Sequence, residues 1–481
     1  MTGSHWKEDG YRDQSDGYGD RASFNFGYQP SADFETRFYV NANRVRQRIP
    51  GELDKATALS AAQTAAAINV TNDWQRNIDT FRVANKSVVR FDNTTIEFGL
   101  HGLDRHLMHP IFVWLDEKHR NFGGFIRATD ERLIGGRRNR LIVGANFLNG
   151  DIDVAWNVNI GGNKGPALNS LTRKAENTSF FIENSHYFIP NVAVVAGAQF
   201  LAASREQTVN FSFVGDVNGK STFNLWSPKV GLLWDVAPDW QAFANVSRSA
   251  EVPSFDEGGS IATPNWTTVR AQRATTYEVG TRGRRPDVTW DLAVYRANIT
   301  DELQCFANTP PTGLCTVVNA DKTVHQGIEA GLGLSLFKGI AVTSGEQDRI
   351  WLNVAYTYNN FFYNGDALFG NNKLPGAPDH YVRAELLYKH PAGYSFGPNV
   401  EWVPTDYYVD AANTLTTPSY AIWGLRAQYE SSKFSAYIEG RNLANTAYIS
   451  SVSNVDRAPA GYAGFWPGSG RGIYAGIRYK M

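Results

Sequence analysis

The sequence predicts an all-β chain folded as a transmembrane antiparallel β-barrel, and three observations carry that expectation. Apolar and polar residues alternate with period two over segments of about 10 to 16 residues. Short turns and long polar loops follow one another along the chain. Residues that favour strands and turns are abundant, with 22 Tyr, 28 Phe, 13 Trp and 44 Gly. No stretch approaches the roughly 18 apolar residues that would read as a membrane-spanning helix.

The alternation is plain in several places. Val288, Trp290, Leu292 and Val294 share one face, with Thr289, Asp291, Ala293 and Tyr295 on the other. Ile350, Leu352, Val354, Tyr356 and Tyr358 alternate with Trp351, Asn353, Ala355, Thr357 and Asn359. Ile473, Ala475, Ile477 and Tyr479 do the same near the end. One apolar and one polar face suit lipid outside and water inside. A soluble sandwich also alternates, but its strands usually run to about 5 or 6 residues. Segment length favours the membrane barrel.

Short turns are expected at Pro30-Ser31, Pro190-Asn191, Pro238-Asp239, Pro286-Asp287 and Ala392-Gly393, where Pro presets φ and Asp or Asn caps its own backbone. Long outer loops are expected near 49–73, 106–120, 159–173, 255–271, 306–322, 363–378, 410–418 and 449–469. The Ala-rich stretch Ala56–Ala67 has the composition of a short helix within the first of them. Short turns on one side and long loops on the other is the outer-membrane arrangement, with the periplasm on the short side. This parity yields about 19 strands, whose first (near 24–29) and last (470–481) both run toward the periplasm.

Composition excludes other classes. The 46 basic and 47 acidic residues nearly cancel, which leaves no electrostatic footprint for nucleic acid. There is no Gly-x-Ser-x-Gly elbow, no His-Glu-x-x-His helix and no phosphate-binding Gly loop, so no catalytic residue is nominated and no enzyme activity, cofactor or metal centre is expected. The segment Met1–Arg21 is polar and does not read as a signal peptide. The cluster Arg132, Arg137, Arg138 and Arg140 falls, by parity, at a solvated periplasmic turn.

Five segments, in order, resemble the barrel of TonB-dependent outer-membrane receptors. They are Ser227–Trp234 with Trp240–Ser249 and Val252-Pro-Ser-Phe255, Thr276–Gly283, Val318-Asn-Ala320 with Gln326–Ala330, Ala436–Tyr448, and Gly470–Tyr479. Leu374–Pro378 and Asn399–Trp402 are similar to the ferric-siderophore branch. The resemblance implies a plug domain, a TonB box and roughly 22 strands, of which about 19 are counted here. The expectation is therefore an N-terminally truncated barrel over 1–481, without a plug. Its implied partners are outer-membrane lipid and a metal chelate or other small ligand, with the TonB complex engaged only if a plug is present in the full-length form. A passive porin-like channel and a soluble all-β carbohydrate-active protein are the alternatives.

For ligand contacts, the segment 101–120 offers His101, His106, His109, Phe112, Trp114, His119 and Arg120. Imidazoles ligate iron or haem, and aromatic groups with Arg hold an anionic chelate. The same residue types also make up interfacial girdles. His106, His109, Trp114 and Arg120 are the candidates from this segment, with Trp266, Arg270, Tyr407 and Tyr408 from later loops. Cys305 and Cys315, the only two cysteines, are expected to form a disulfide in an oxidising compartment, worth roughly 2–3 kcal/mol for a loop of that size.

Overall fold

The computed structural model describes residues 1–480 except 214–216, 256–265, 267–268 and 308–314, and at 307, 315 and 316 it describes the backbone alone. A single sheet of 20 strands dominates it. These are β1 (Thr2–Glu8), β2 (Gly17–Tyr28), β3 (Phe34–Arg48), β4 (Gln75–Phe91), β5 (Thr94–Pro110), β6 (Trp114–Ile134), β7 (Arg137–Ile160), β8 (Asn163–Ile189), β9 (Val192–Ser212), β10 (Gly219–Ala237), β11 (Trp240–Glu251), β12 (Gln272–Arg284), β13 (Val288–Ala307), β14 (Cys315–Lys338), β15 (Arg349–Tyr363), β16 (His380–Lys389), β17 (Tyr394–Val403), β20 (Tyr420–Glu430), β21 (Phe434–Arg441) and β24 (Gly472–Tyr479). The connections contain helices α1 (Lys55–Ser60) and α2 (Ala67–Thr71), and two small hairpins, β18 (Tyr407–Tyr408) with β19 (Thr416–Thr417) and β22 (Ile449–Val452) with β23 (Phe465–Pro467).

Every sheet strand pairs antiparallel with its successor, from β1 to β17 and then through β20 and β21 to β24. The all-β barrel architecture is thus as expected. Thr2–Glu8 adds a strand ahead of those anticipated and makes the count even. β1 therefore runs opposite to β24, which corrects the expectation that the first and last strands point the same way. Among the described residues no ladder joins β1 to β24.

All five anticipated short turns connect consecutive strands. At Gly135-Gly136, between β6 and β7, φ is 58° and 75°. A two-residue hairpin turn of this hand needs positive φ at both positions, which glycine adopts without a Cβ clash.

Two expected outer loops are strand instead. Residues 106–120 form the tops of β5 and β6, joined by 111–113, and residues 159–173 form the tips of β7 and β8, joined by Gly161-Gly162. Much of 306–322 likewise belongs to β13 and β14. β8 has 27 residues, roughly 90 Å at ~3.3 Å each, where a membrane needs ~9–11 residues. Beyond the membrane the outward face meets water and apolar residues such as Leu171 turn inward, so the lipid-facing apolar row that marks a membrane strand is lost there. The remaining expected loops lie outside the sheet, in 49–74, 364–379, 404–419 and 442–471, while most of 255–271 is outside the described residues. The Ala-rich stretch contains α1, whose N-cap Asp54 accepts the Thr57 N–H at 3.0 Å.

The outward face follows the register. Phe98, Ile126, Ala145, Phe180, Phe200 and Trp226 form one continuous row across β5 to β10. Phe98, Ile126, Phe180 and Trp226 are exposed, as side chains facing acyl chains must be.

Candidate ligand-binding mouth and lumen

The lumen face is fixed by the same register. Gln241 pairs with Arg282 and Asp235, and all three line a cavity of about 1920 Å³. This cavity runs from the periplasmic turns at Asn191 and Pro238-Asp239 to Asn442, Tyr448 and Ser469 at the outer end. Its charged lining balances: Arg138, Arg282, Arg284, Arg383, Arg426 and Arg441 face Asp235, Asp239, Asp291, Glu385, Glu401 and Glu439. Several are paired, with Arg138–Asp235 and Arg383–Glu401 at 3.1 Å and Arg441–Glu439 at 2.8 Å. The Arg132–Arg140 cluster lies at the β6–β7 turn, as expected, where Arg138 also stacks over Tyr187 at 3.7 Å.

Higher up, the inner wall of β4 to β9 is not balanced. Three adjacent lumen-facing rows cross these strands: Arg82–Leu103–Asn121–Gly150–Ala175–Arg205, Thr80–Arg105–His119–Ile152–Arg173–Gln207, and Ile78–Leu107–Glu117–Val154–Leu171–Val209. Arg173 and Arg205 are held by hydrogen bonds, to Gln207 and Asn177 at 3.1 Å each, whereas Arg82 and Arg105 have no ion pair among the described residues, and Glu117 is the one carboxylate in these rows. Burial raises the Glu117 carboxyl, but His119 at 2.9 Å, Arg173 and Arg105 outweigh it and its pKa falls. Burial, then the like charge of Arg76, with a smaller share from Arg82, lowers the Arg105 guanidinium. The Nε of Arg105 is buried and has no hydrogen-bond partner among the described residues. Val154 and Leu171 of the third row, with Leu115 and Trp156 one step above it, pack into an apolar cluster inside the mouth.

On the opposite side the outer connections fold over the rim as a cap. Leu53 and Phe465 exchange two backbone hydrogen bonds of 3.0 Å. Around them Leu53, Ala58, Val409, Ile449, Val455, Tyr462 and Phe465 form a buried cluster. The Glu52 carboxylate accepts from Ser453 and, at 3.1 Å, from the Trp466 indole, and burial raises its pKa. The Lys55 ammonium donates to the Thr416 carbonyl at 2.6 Å. Asp410, fully buried, organises the 404–419 turn by accepting from the N–H groups of Thr414, Leu415 and Ala458. The cap thus ties the connections that follow β3, β17 and β21 into one unit.

The eight residues nominated for ligand contact are not gathered at one place. His106 and Arg120 point away from the lumen, paired with Asp116 at 2.7 Å and Asp153 at 2.6 Å. His109 has the opposite parity and turns inward, where its Nδ1 lies 2.5 Å from the Gln75 carbonyl and burial lowers its pKa. Trp114 opens β6, its indole N–H buried without a partner among the described residues. Trp266 lies against Gly219 at the head of β10, and Arg270 pairs with Asp301 at 2.7 Å. Tyr407 and Tyr408 belong to the cap, with Tyr407 buried beside Thr417. Cys305 is disulfide-bonded, and the side chain of its expected partner Cys315 lies outside the described residues. Sequence reading missed Arg82, Arg105, Glu117 and Arg173; the signal available was parity, because Arg105 and His109 share a face that His106 does not.

A family model described as TonB dependent receptor-like, beta-barrel matches residues 2–443. Among solved structures, the unliganded ferric citrate transporter FecA superposes with a TM-score of 0.80 at 16% identity, over 97% of this chain and 71% of that one. The siderophore receptor PiuA from Acinetobacter baumannii gives 0.78 at 14% identity, over 100% and 76%. The ferric yersiniabactin uptake receptor FyuA from Yersinia pestis gives 0.77 at 14% identity, over 100% and 74%. At such identities the likeness to these structures is one of fold.

Proposed function

Because this chain belongs to the TonB-dependent receptor-like β-barrel family, we propose that it acts in the uptake of a ferric siderophore or similar metal chelate across the bacterial outer membrane. Proteins of this family are outer-membrane transporters, not enzymes, and they bind small chelates and interact with TonB. The observation that carries the reading is the polar lumen of about 1920 Å³ beneath a structured outer mouth. That volume exceeds the ~300–1,000 Å³ of an ordinary small-molecule pocket, which suits passage as well as binding. Outer-membrane lipid covers the apolar rows, and the TonB complex engages the barrel only if a plug is present in the full-length form.

The test is uptake of radio-iron chelates by cells lacking their own receptors and expressing this one, with and without TonB. Uptake that requires both receptor and TonB is expected. Uptake indifferent to TonB would instead identify a passive channel, which steady conductance in planar bilayers would corroborate.

A further inference from the structure

We infer that the upper inner wall of β4 and β5 is a binding site for an anionic ligand, with Arg82 and Arg105 as its contacts and Arg76 as a third charge at its upper edge. This rests on the receptor reading and narrows it to chelates bearing net negative charge. The two faces of the same strands supply the argument. On the outward face, one residue along from the arginines, Asp104, Arg120, Asp151, Lys174, Glu206 and Lys220 lie side by side in a single row. Signs alternate at each step, so every outward charge faces an opposite neighbour.

The inward face does the reverse. Arg76, Arg82 and Arg105 form no ion pair among the described residues, and burial with the like charges of Arg76 and Arg82 outweighs the attraction of Glu117, so the Arg105 pKa is lowered. The lower lumen pairs several of its arginines, as Arg383 with Glu401, and the outward row alternates in sign; at this upper edge of β4 and β5, Arg76, Arg82 and Arg105 stand without an ion pair among the described residues. Uncompensated, part-buried cations are costly unless something else supplies the counter-charge. The Arg105 Nε is a buried donor that meets no acceptor among the described residues. Guanidinium groups match carboxylate, catecholate and phosphate oxygens in a way point charges do not. Low-dielectric walls also focus the field of the cluster into the mouth.

The test uses the whole chain in detergent micelles, with ferric citrate and a ferric tris-catecholate as anionic probes and a neutral ferric trihydroxamate for comparison. The anionic probes should bind at least roughly tenfold more tightly than the neutral one at low salt. That gap should narrow as salt rises from about 0.05 M to about 0.5 M. Arg82→Gln and Arg105→Gln should each weaken anionic probes about tenfold and leave the neutral probe unchanged. Arg105→Lys should recover only the part of the loss that charge alone supplies, and Lys174→Gln, which removes the same unit charge from the outward row, should change nothing. Heat-modifiable migration in gels verifies that each variant is folded. Tighter binding of the neutral probe, or wild-type affinity in both Gln variants, overturns the anionic assignment while the receptor reading stands. Binding of no chelate of either charge by the folded chain overturns both.

Discussion

On the side of the mouth built from β16 to β24 the strands are short, with 10 residues in β16 and β17 and 8 in β21, and their outer connections pack a core together with the connection that follows β3. On the side built from β6 to β9 the strands themselves climb, with 21, 24, 27 and 21 residues, and the connections shrink to a turn such as Gly161-Gly162. Both sides project beyond the membrane, but different forces hold them. The cap depends on side-chain burial between segments distant in sequence; the Ser453–Glu52 contact spans 401 residues. The tall wall depends on ladder hydrogen bonds between neighbours, added one pair at a time. A unit closed by distant burial opens as a whole, whereas a ladder frays from its tip.

The largest effect is expected in the cap. Phe465→Ala removes a fully buried ring and should cost about 3–5 kcal/mol. Limited proteolysis should then cut within 49–74, 404–419 and 442–471 together while β7 and β8 stay intact; cleavage confined to 442–471 would show that the cap is not one unit. Next comes the β13–β14 tip, where a Cys305–Cys315 bridge would be worth roughly 2–3 kcal/mol. Alkylation without reductant should label neither cysteine, and labelling of both sinks the bridge.

Smaller still is Gly161→Val at the tip of the tall wall. A Cβ there meets nothing within 4 Å, so the positive φ alone sets the cost, about 1–2 kcal/mol. Hydrogen exchange should quicken near the β7–β8 tip and nowhere else. The mildest expectation concerns pH. The folded pKa of Glu52 is raised above its ordinary value by burial, so its contribution to the cap is full below the ordinary carboxyl range and is lost as pH rises through the raised value. Cap cleavage should therefore quicken with rising pH across that window, and Glu52→Gln should abolish the trend.

What could be read in the sequence follows the same division. Inside lipid, period two with one apolar face is unambiguous, and β13, β15 and β24 were legible from their alternation alone. The short turns were legible from Pro, Asp and Gly. Above the membrane the outward face is charged and apolar residues such as Val154 and Leu171 turn inward, the reverse of a lipid-facing strand, so the tops of β5 to β8 looked like loops; Gly161-Gly162 was a hairpin signal there that composition masked. Thr2–Glu8 lies within the polar segment Met1–Arg21 and carries no apolar face, so alternation did not mark it as a strand. The ligand candidates suffered from a related blindness. Whether His106 or His109 faces the lumen depends on pairing carried across many strands, which no local window contains, and the cap cluster depends on contacts over hundreds of residues.

The cap also bears on how the molecule responds to force. Pulled from its C-terminal end, β24 would peel from β21 one residue pair at a time, a low-force unzipping over its 8 residues. The pull would then arrive at 442–471, where Phe465 and Leu53 are joined by paired hydrogen bonds within a buried cluster. Loaded there, those bonds must break together rather than in turn. The cap would act as an arrest point, confining mechanical damage to the final strand and sparing the rest of the wall.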